Sequence, residues 1–175
     1  MSGPMISSLV ARFDSRLATL QGLLDKAAAQ WRAAGKDPEA LVDARLADDM
    51  APLATQIVFT CHQPGQFLDW ATGVKVADGE APASMAEMAA MIAATRARLA
   101  AFDGDDALFA KIKEISLPGD MSLSLDGGAY VGDWVMPNFY FHLVSAYAIL
   151  RSAGVDIGKA DYMAHLMPLI RRGAA

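Results

Sequence analysis

The stretch Met136–Gly158, MPNFYFHLVSAYAILRSAGVDIG, decides the fold. Pro137 suits the first turn of a helix, where a missing N–H costs little, and Gly154 can adopt the left-handed turn that ends one. Between them Arg151 is the only Lys, Arg, Asp or Glu. A helix so poor in charge cannot lie on a surface, so other helices must surround most of it. Its few polar groups, Asn138, His142, Ser145 and Tyr147, are therefore where any chemistry is expected.

Three further helices follow from the spacing of apolar residues. Leu9, Phe13, Leu17, Leu20, Leu24, Ala27 and Trp31 recur at steps of three and four, which predicts a first helix over about Ile6–Ala34, closed by Gly35. Asp37-Pro38-Glu39 reads as a cap and a short helical turn. A second helix is expected to begin at a cap residue, Asp48 or Asp49, and to run through Ile57 and Val58. Pro64-Gly65 predicts a kink or break in it, with helix resuming through Phe67, Leu68 and Trp70 until Gly73. After a connection that holds Gly79 and Pro82, Ser84 and Glu87 have the spacing of a capping box and open a third helix, with Met85, Met88, Ile92, Leu99 and Phe102 on one stripe. Its methionines, Met91 included, suit a core or an interface.

The segment before the central helix is different. Asp105–Lys113 suggests a short helix. Met121, Leu123 and Leu125 alternate with serines and are followed by Asp126-Gly127-Gly128 and Ala129-Tyr130-Val131, which predicts a β-hairpin turning at the D-G-G, or an extended loop. The segment Val155–Ile170 reads as a short terminal piece, with Asp156 and Asp161 as turn or cap residues. The expected class is all-α: a four-helix bundle with a small hairpin or loop inserted before the last long helix, as one domain over residues 1–175.

Charge and composition narrow the partners. Fifteen basic and 20 acidic residues leave a net charge of −5, and the only basic pair is Arg171-Arg172, so no basic face is available for nucleic acid. No apolar run approaches the roughly 20 residues needed to span a bilayer. One cysteine, Cys61, allows no internal disulfide, and Arg12, Asp14 and Arg16 interrupt the first apolar stretch, which is not the pattern of a secretory leader. The expected compartment is the cytoplasm. A hydrophobic content of 54% suggests apolar surface buried against a second copy, hence a homodimer.

Pro137-Asn138-Phe139-Tyr140-Phe141-His142, then Ala146-Tyr147-Ala148-Ile149-Leu150-Arg151, Gly154 and Ile157-Gly158-Lys159, resemble a bacterial family of unknown function among the DinB-like bundles. Arg45–Met50, Pro52-Leu53 and Gln56 look like its second-helix motif, and the resemblance runs from about Ile6 to about Tyr162. It implies a DinB-type four-helix bundle, commonly dimeric. In that superfamily the better-known members bind a divalent metal through three histidines, and some resemble transferases that use small thiols.

This chain departs from that metal pattern. Two of the three histidines would sit four apart on the last long helix, sharing one face. Here His142 is flanked at those positions by Asn138 and Ala146. Asp49, Gln56 and Thr60 are the second-helix positions able to face it; His62 lies 13 residues beyond Asp49, about 20 Å along an unbroken helix. His165 falls in the tail, where a solvated side chain is expected. A divalent metal is possible but not favoured, with Asp49 and His142 as a weak pair.

The polar groups instead form two stripes: Asn138, His142 and Ser145 on the central helix, and Asp49, Gln56, Thr60 and Gln63 on the second. One reading is that they satisfy one another in the core, since an unpaired buried group costs about 1–3 kcal/mol. The other is a small-molecule pocket between the two helices, with Gln56, Asn138 and Tyr147 around it and His142 as acid, base or ligand, oriented by Asp49 or Gln56. Cys61 has no basic neighbour in sequence to favour a thiolate, Gly127-Gly128 follows no phosphate-binding motif, and Trp134, Tyr140 and Tyr147 suit a core or a cavity wall. Lys159 reads as a tail anchor or surface charge. The functional expectation is a DinB-like dimer with such a pocket; the alternatives are a metal-dependent transferase or hydrolase of small thiol conjugates, and a non-enzymatic interaction module.

Overall fold

The computed structural model describes residues 5–76 and 81–171; Gly79 and Arg172 lie outside them. Four long helices, α1 (Met5–Ala33), α2 (Leu53–Thr72), α3 (Met85–Ala100) and α5 (Met136–Ser152), form a bundle, with a two-stranded antiparallel hairpin, β1 (Ile112–Leu117) and β2 (Met121–Asp126), inserted before α5. A short α4 (Gly127–Ala129) and a π-helical turn, Tyr130–Val135, lead from the hairpin into α5. Near the C-terminus, α6 (Lys159–Tyr162) precedes a 3₁₀ turn, Ala164–Leu169. The α2 helix packs on both α3 and α5, while α1 packs on α3. Phe13, Phe67 and Phe139, one each from α1, α2 and α5, are fully buried, and the Phe13 ring lies 5.0 Å from Phe139 and 6.3 Å from Phe67. The expected all-α bundle with its small hairpin is the architecture found.

Most predicted ends hold. Ser84 caps α3 by accepting the Glu87 N–H at 3.1 Å, while Glu87 accepts the Ala83 N–H at 2.7 Å. Gly73, at φ 72°, ends α2 in the left-handed conformation that costs glycine little. The tail is tied down by Asp161, which pairs with Lys26 and accepts the Gly158 N–H at 2.8 Å. Gln30 adds two bonds to the Asp156 backbone, so Lys159, exposed, is not the anchor. His165 is half-buried rather than solvated, because the 3₁₀ turn folds back on α1.

Three local expectations are corrected. First, α2 begins at Leu53, with Pro52 at its N-cap, and Asp48 and Asp49 lie exposed in the preceding turn. A residue before proline is disfavoured in helical geometry, and Ala51, with no buried helix on its N-terminal side to hold it there, lies outside α2. Nor is a side-chain cap needed, since Leu53 N–H donates to the Ala44 carbonyl and Ala54 N–H to that of Val42.

Second, of the expected kink or break at Pro64 the break is absent: α2 is continuous through it. Pro64 and Gly65 are buried, and Ile57, Cys61, Phe67 and Leu68 anchor the helix on either side. Their burial, at about 1.5–3 kcal/mol for each large side chain, exceeds the roughly 3 kcal/mol that an internal proline costs.

Third, the hairpin turns at Pro118-Gly119-Asp120, where Gly119 (φ 77°) and Asp120 (φ 56°) take the left-handed conformation and Leu117 faces Met121 across the turn. The D-G-G is a helix start instead: Asp126 accepts the Ala129 N–H at 2.8 Å. Asp-Gly-Gly serves either purpose locally, and only the partner strand decides.

Gly127 is needed there for space. A Cβ at this position would come within 2.4 Å of the Leu108 carbonyl oxygen, 2.8 Å of the Phe109 Cα and 2.8 Å of the Trp70 ring. Two of those atoms are backbone and cannot yield cheaply. Replacing Gly127 with Ala should therefore destabilise the protein by about 1–3 kcal/mol in urea unfolding, and an unchanged midpoint would refute this packing.

Candidate functional site

The seam between α2 and α5 carries both polar stripes. Gln56 meets His142 and Trp70 meets Tyr130, so residue numbers rise on one strand of contacts as they fall on the other, and the two segments run antiparallel. Among the polar groups of the stripes, one bond crosses the seam: His142 Nδ1 lies 2.9 Å from Gln56 Oε1. Three others turn to a backbone carbonyl four residues earlier. Thr60 donates to the Gln56 carbonyl at 2.7 Å, Asn138 to that of Trp134 at 2.7 Å and Ser145 to that of Phe141 at 2.8 Å. Gln63 is buried and its Oε1 has no hydrogen-bond partner.

This arrangement fixes the imidazole. Gln56 donates its amide Nε2 to the Ala51 carbonyl at 3.1 Å, the carbonyl that Pro52 leaves just ahead of α2. Its Oε1 must then accept, so the proton on His142 sits at Nδ1 and the lone pair at Nε2. Burial holds the His142 pKa below its ordinary 6.5, which keeps the ring neutral at pH 7. The Phe59 and Phe141 rings flank it, at 4.8 and 5.2 Å between ring centroids. Both phenylalanines are exposed, as is Val144 on the next turn of α5.

The other candidate residues are placed elsewhere. Asp49 is exposed and makes no hydrogen bond or ion pair with His142. Tyr147 packs edge-on against Tyr162 at 5.7 Å. Cys61 is buried, and its pKa is pushed up to about 12 by that burial against the opposing hydrogen bond with Thr95, which suits an inert thiol. Met85 and Met88 are core residues.

A second group of residues was legible only in Trp134, which the sequence places in a core or a cavity wall. A cleft of about 770 Å³ lies between the C-terminal half of α2, β1 and the π-helical turn, with Trp70, Tyr130 and Trp134 in its lining. An aromatic pair four apart, Tyr130 and Trp134, just ahead of the central helix was the available signal. The mistaken hairpin placed Tyr130 on a strand and hid it.

A family model for DUF1993, a domain of unknown function, matches residues 5–163. The chain belongs to the DUF1993 family. It is similar to a DinB family member protein from Shewanella denitrificans, known from a crystal structure at 1.83 Å resolution: 32% of residues are identical, 88% of each chain is covered and the TM-score is 0.76. No curated protein matches it. The bundle of this DUF1993 chain is thus of DinB type.

The three-histidine metal site implied by that resemblance does not fit these residues. Around His142, Asn138 spends its amide on Trp134, Ala146 is buried, and the α2 residue in contact is Gln56. Among the described residues, no three His, Cys, Asp or Glu side chains converge where they could hold one ion. The Gln56–His142 pair can nonetheless do something chemical: it offers one imidazole lone pair of fixed direction beside an apolar rim. A carboxylate behind the ring would favour the imidazolium, as in acid–base dyads, but an amide does so far less. The geometry suits accepting a hydrogen bond better than taking up a proton.

Because the folded pKa of His142 lies below its ordinary 6.5, the unfolded chain takes up its proton first. This contribution to stability is complete above about pH 6.5 and is lost as pH falls from there through the folded pKa. Thermal melts between about pH 8 and pH 5 should show a smaller acid-side loss of Tm for His142→Phe than for the wild type. Parallel profiles would contradict the assignment.

Proposed function

We propose that this DUF1993 protein is a cytoplasmic homodimer that binds a small molecule at the α2–α5 seam, with His142 Nε2 accepting a hydrogen bond from the ligand. The observation that carries the reading is the imidazole itself: its Nδ1–H is committed to Gln56, and its remaining lone pair has an apolar rim of Phe59 and Phe141. A ligand that fits has an N–H, O–H or S–H donor on an apolar body. Gln56 is the positioning residue in this arrangement, while Asn138 bonds the Trp134 carbonyl and Tyr147 packs on Tyr162. The amide behind the imidazole, and a donor set that does not suit a three-histidine metal site, favour binding over metal-dependent transfer or hydrolysis.

The dimer is supported by the same surface. Phe59 is 37%, Phe141 60% and Val144 46% exposed, an apolar group large enough to seek a partner. In this reading two copies pair through that face and roof His142, so each subunit completes the other's site. Support for the cytoplasm comes from the lone, buried cysteine. Net negative charge speaks against a nucleic-acid partner, and among the described residues no helix is long and apolar enough to cross a membrane.

Size-exclusion chromatography with light scattering should give twice the 18.6 kDa chain mass, and Phe141→Glu should give the monomer. A monomeric wild type would end the dimer proposal. For the ligand, a thermal-shift panel of small alcohols, thiols and amines with apolar tails should contain a wild-type stabiliser that has no effect on His142→Ala. At 100 times its Kd such a compound adds about 2.7 kcal/mol to stability. No stabiliser, or equal stabilisation of the variant, would overturn the site.

A further inference from the structure

The cleft at the other end of α2 is chemically unlike the seam around His142. Its walls are aromatic: Trp70 from α2 stacks edge-on against Tyr130, at 5.1 Å between ring centroids, and Trp134 follows one turn later on the π-helical segment. π-Helical turns are uncommon, and they frequently mark functional sites. Its last bond runs from the Met136 N–H five residues back to the Val131 carbonyl, directly ahead of Pro137.

The cleft lining holds two carboxylates and two lysines. Asp69 is neutralised by Arg98 at 2.6 Å, whereas Glu114 keeps its charge while accepting the Ser124 hydroxyl at 2.5 Å, so with Arg98 counted one positive charge is in excess. Lys75 and Lys113 also line the cleft, and neither is paired with a carboxylate among the described residues. The Lys113 ammonium lies 5.6 Å from the centre of the Tyr130 ring, a cation resting on an aromatic face. Beneath it, Tyr130 is 1% exposed, and its buried hydroxyl has no hydrogen-bond partner. A buried polar group left unpaired is costly and normally signals a missing partner.

We propose that this cleft is a second binding site, which takes a small aromatic carboxylate. The ring lies against Trp70 and Trp134, and the carboxylate draws Lys113 off the Tyr130 face and pairs with it. Lys75 adds charge at the mouth, and the Tyr130 hydroxyl donates to the carboxylate. An anion answers both the unpaired lysines and the unpaired donor, and a flat ring answers the two indoles. A cationic or purely apolar ligand answers neither. The site shares no residue with His142 and stands or falls independently of it.

The protein has three tryptophans, and the third, Trp31, lies on α1 under Lys36, so the indole N–H resonances in heteronuclear NMR spectra contain their own control. Titration with trans-cinnamate or phenylacetate should shift the Trp70 and Trp134 signals saturably with a Kd below about 1 mM, leaving Trp31 unmoved. Neutral cinnamamide should bind at least about tenfold more weakly, as should Lys113→Met with cinnamate, because each loses the charge-assisted contact. Tyr130→Phe should also weaken binding while leaving Tm unchanged or raised, since it deletes a donor that has no partner in the free protein. His142→Ala should bind cinnamate as the wild type does. The site is refuted if neither acid gives saturable shifts up to about 10 mM, if cinnamamide binds as well as cinnamate, or if Trp31 shifts along with the other two.

Discussion

Polar side chains caught between two apolar helices must find partners within reach, and the α2–α5 seam is built around that requirement. Thr60, Asn138 and Ser145 each bond the carbonyl four residues back, which satisfies them without cross-linking the seam. Gln56 and His142 are satisfied across it. The chain Ala51 carbonyl–Gln56–His142 therefore links the loop before α2, the helix itself and α5 in one line. Its origin is local. Pro52 stops the helix from starting earlier, so the Ala51 carbonyl stays outside the helical ladder, where the Gln56 amide can reach it.

That chain also explains the chemical character of the site. A carboxylate in place of Gln56 would make His142 a stronger base, and further histidines on the adjacent turn of α5 would make it a metal ligand. This chain has an amide, an asparagine turned back on its own helix and a buried alanine instead. The DinB-type scaffold is retained, and the polar set at its seam is suited to recognition. At the far end of the same helix, Trp70 and Asp69 belong to a cleft of different character, with aromatic walls and charged residues of both signs. One helix thus supplies two unlike surfaces, separated by the buried turn at Pro64-Gly65.

The long helices were legible because burial imposes a period of three to four on their apolar residues, and the caps at Ser84 and Gly73 because each acts within a few residues. What escaped was set by distant partners. The first N–H groups of α2, freed by Pro52, are satisfied by the carbonyls of Val42 and Ala44 rather than by a side-chain cap, and the role of Asp126-Gly127-Gly128 depends on which strand pairs with Met121–Asp126. The continuity of α2 through Pro64 depends on the core around it. At the candidate site, the facing of Gln56 and His142 followed from helical spacing, whereas Asp49 was misjudged because its helix begins later. Of the second cleft only Trp134 was legible as a cavity-wall residue, since the other walls come from α2, β1 and a π-helical turn that are brought together by the fold.

Gln56 holds His142 as a neutral imidazole with its proton on Nδ1 and a bare Nε2. Nitrogen NMR of the labelled imidazole, followed through a pH titration, reads tautomer and pKa together. The expected result is a protonated Nδ1, an unprotonated Nε2 and a pKa below 6.5, with loss of the tautomer preference in Gln56→Leu. A proton on Nε2, or titration above 6.5, would contradict it.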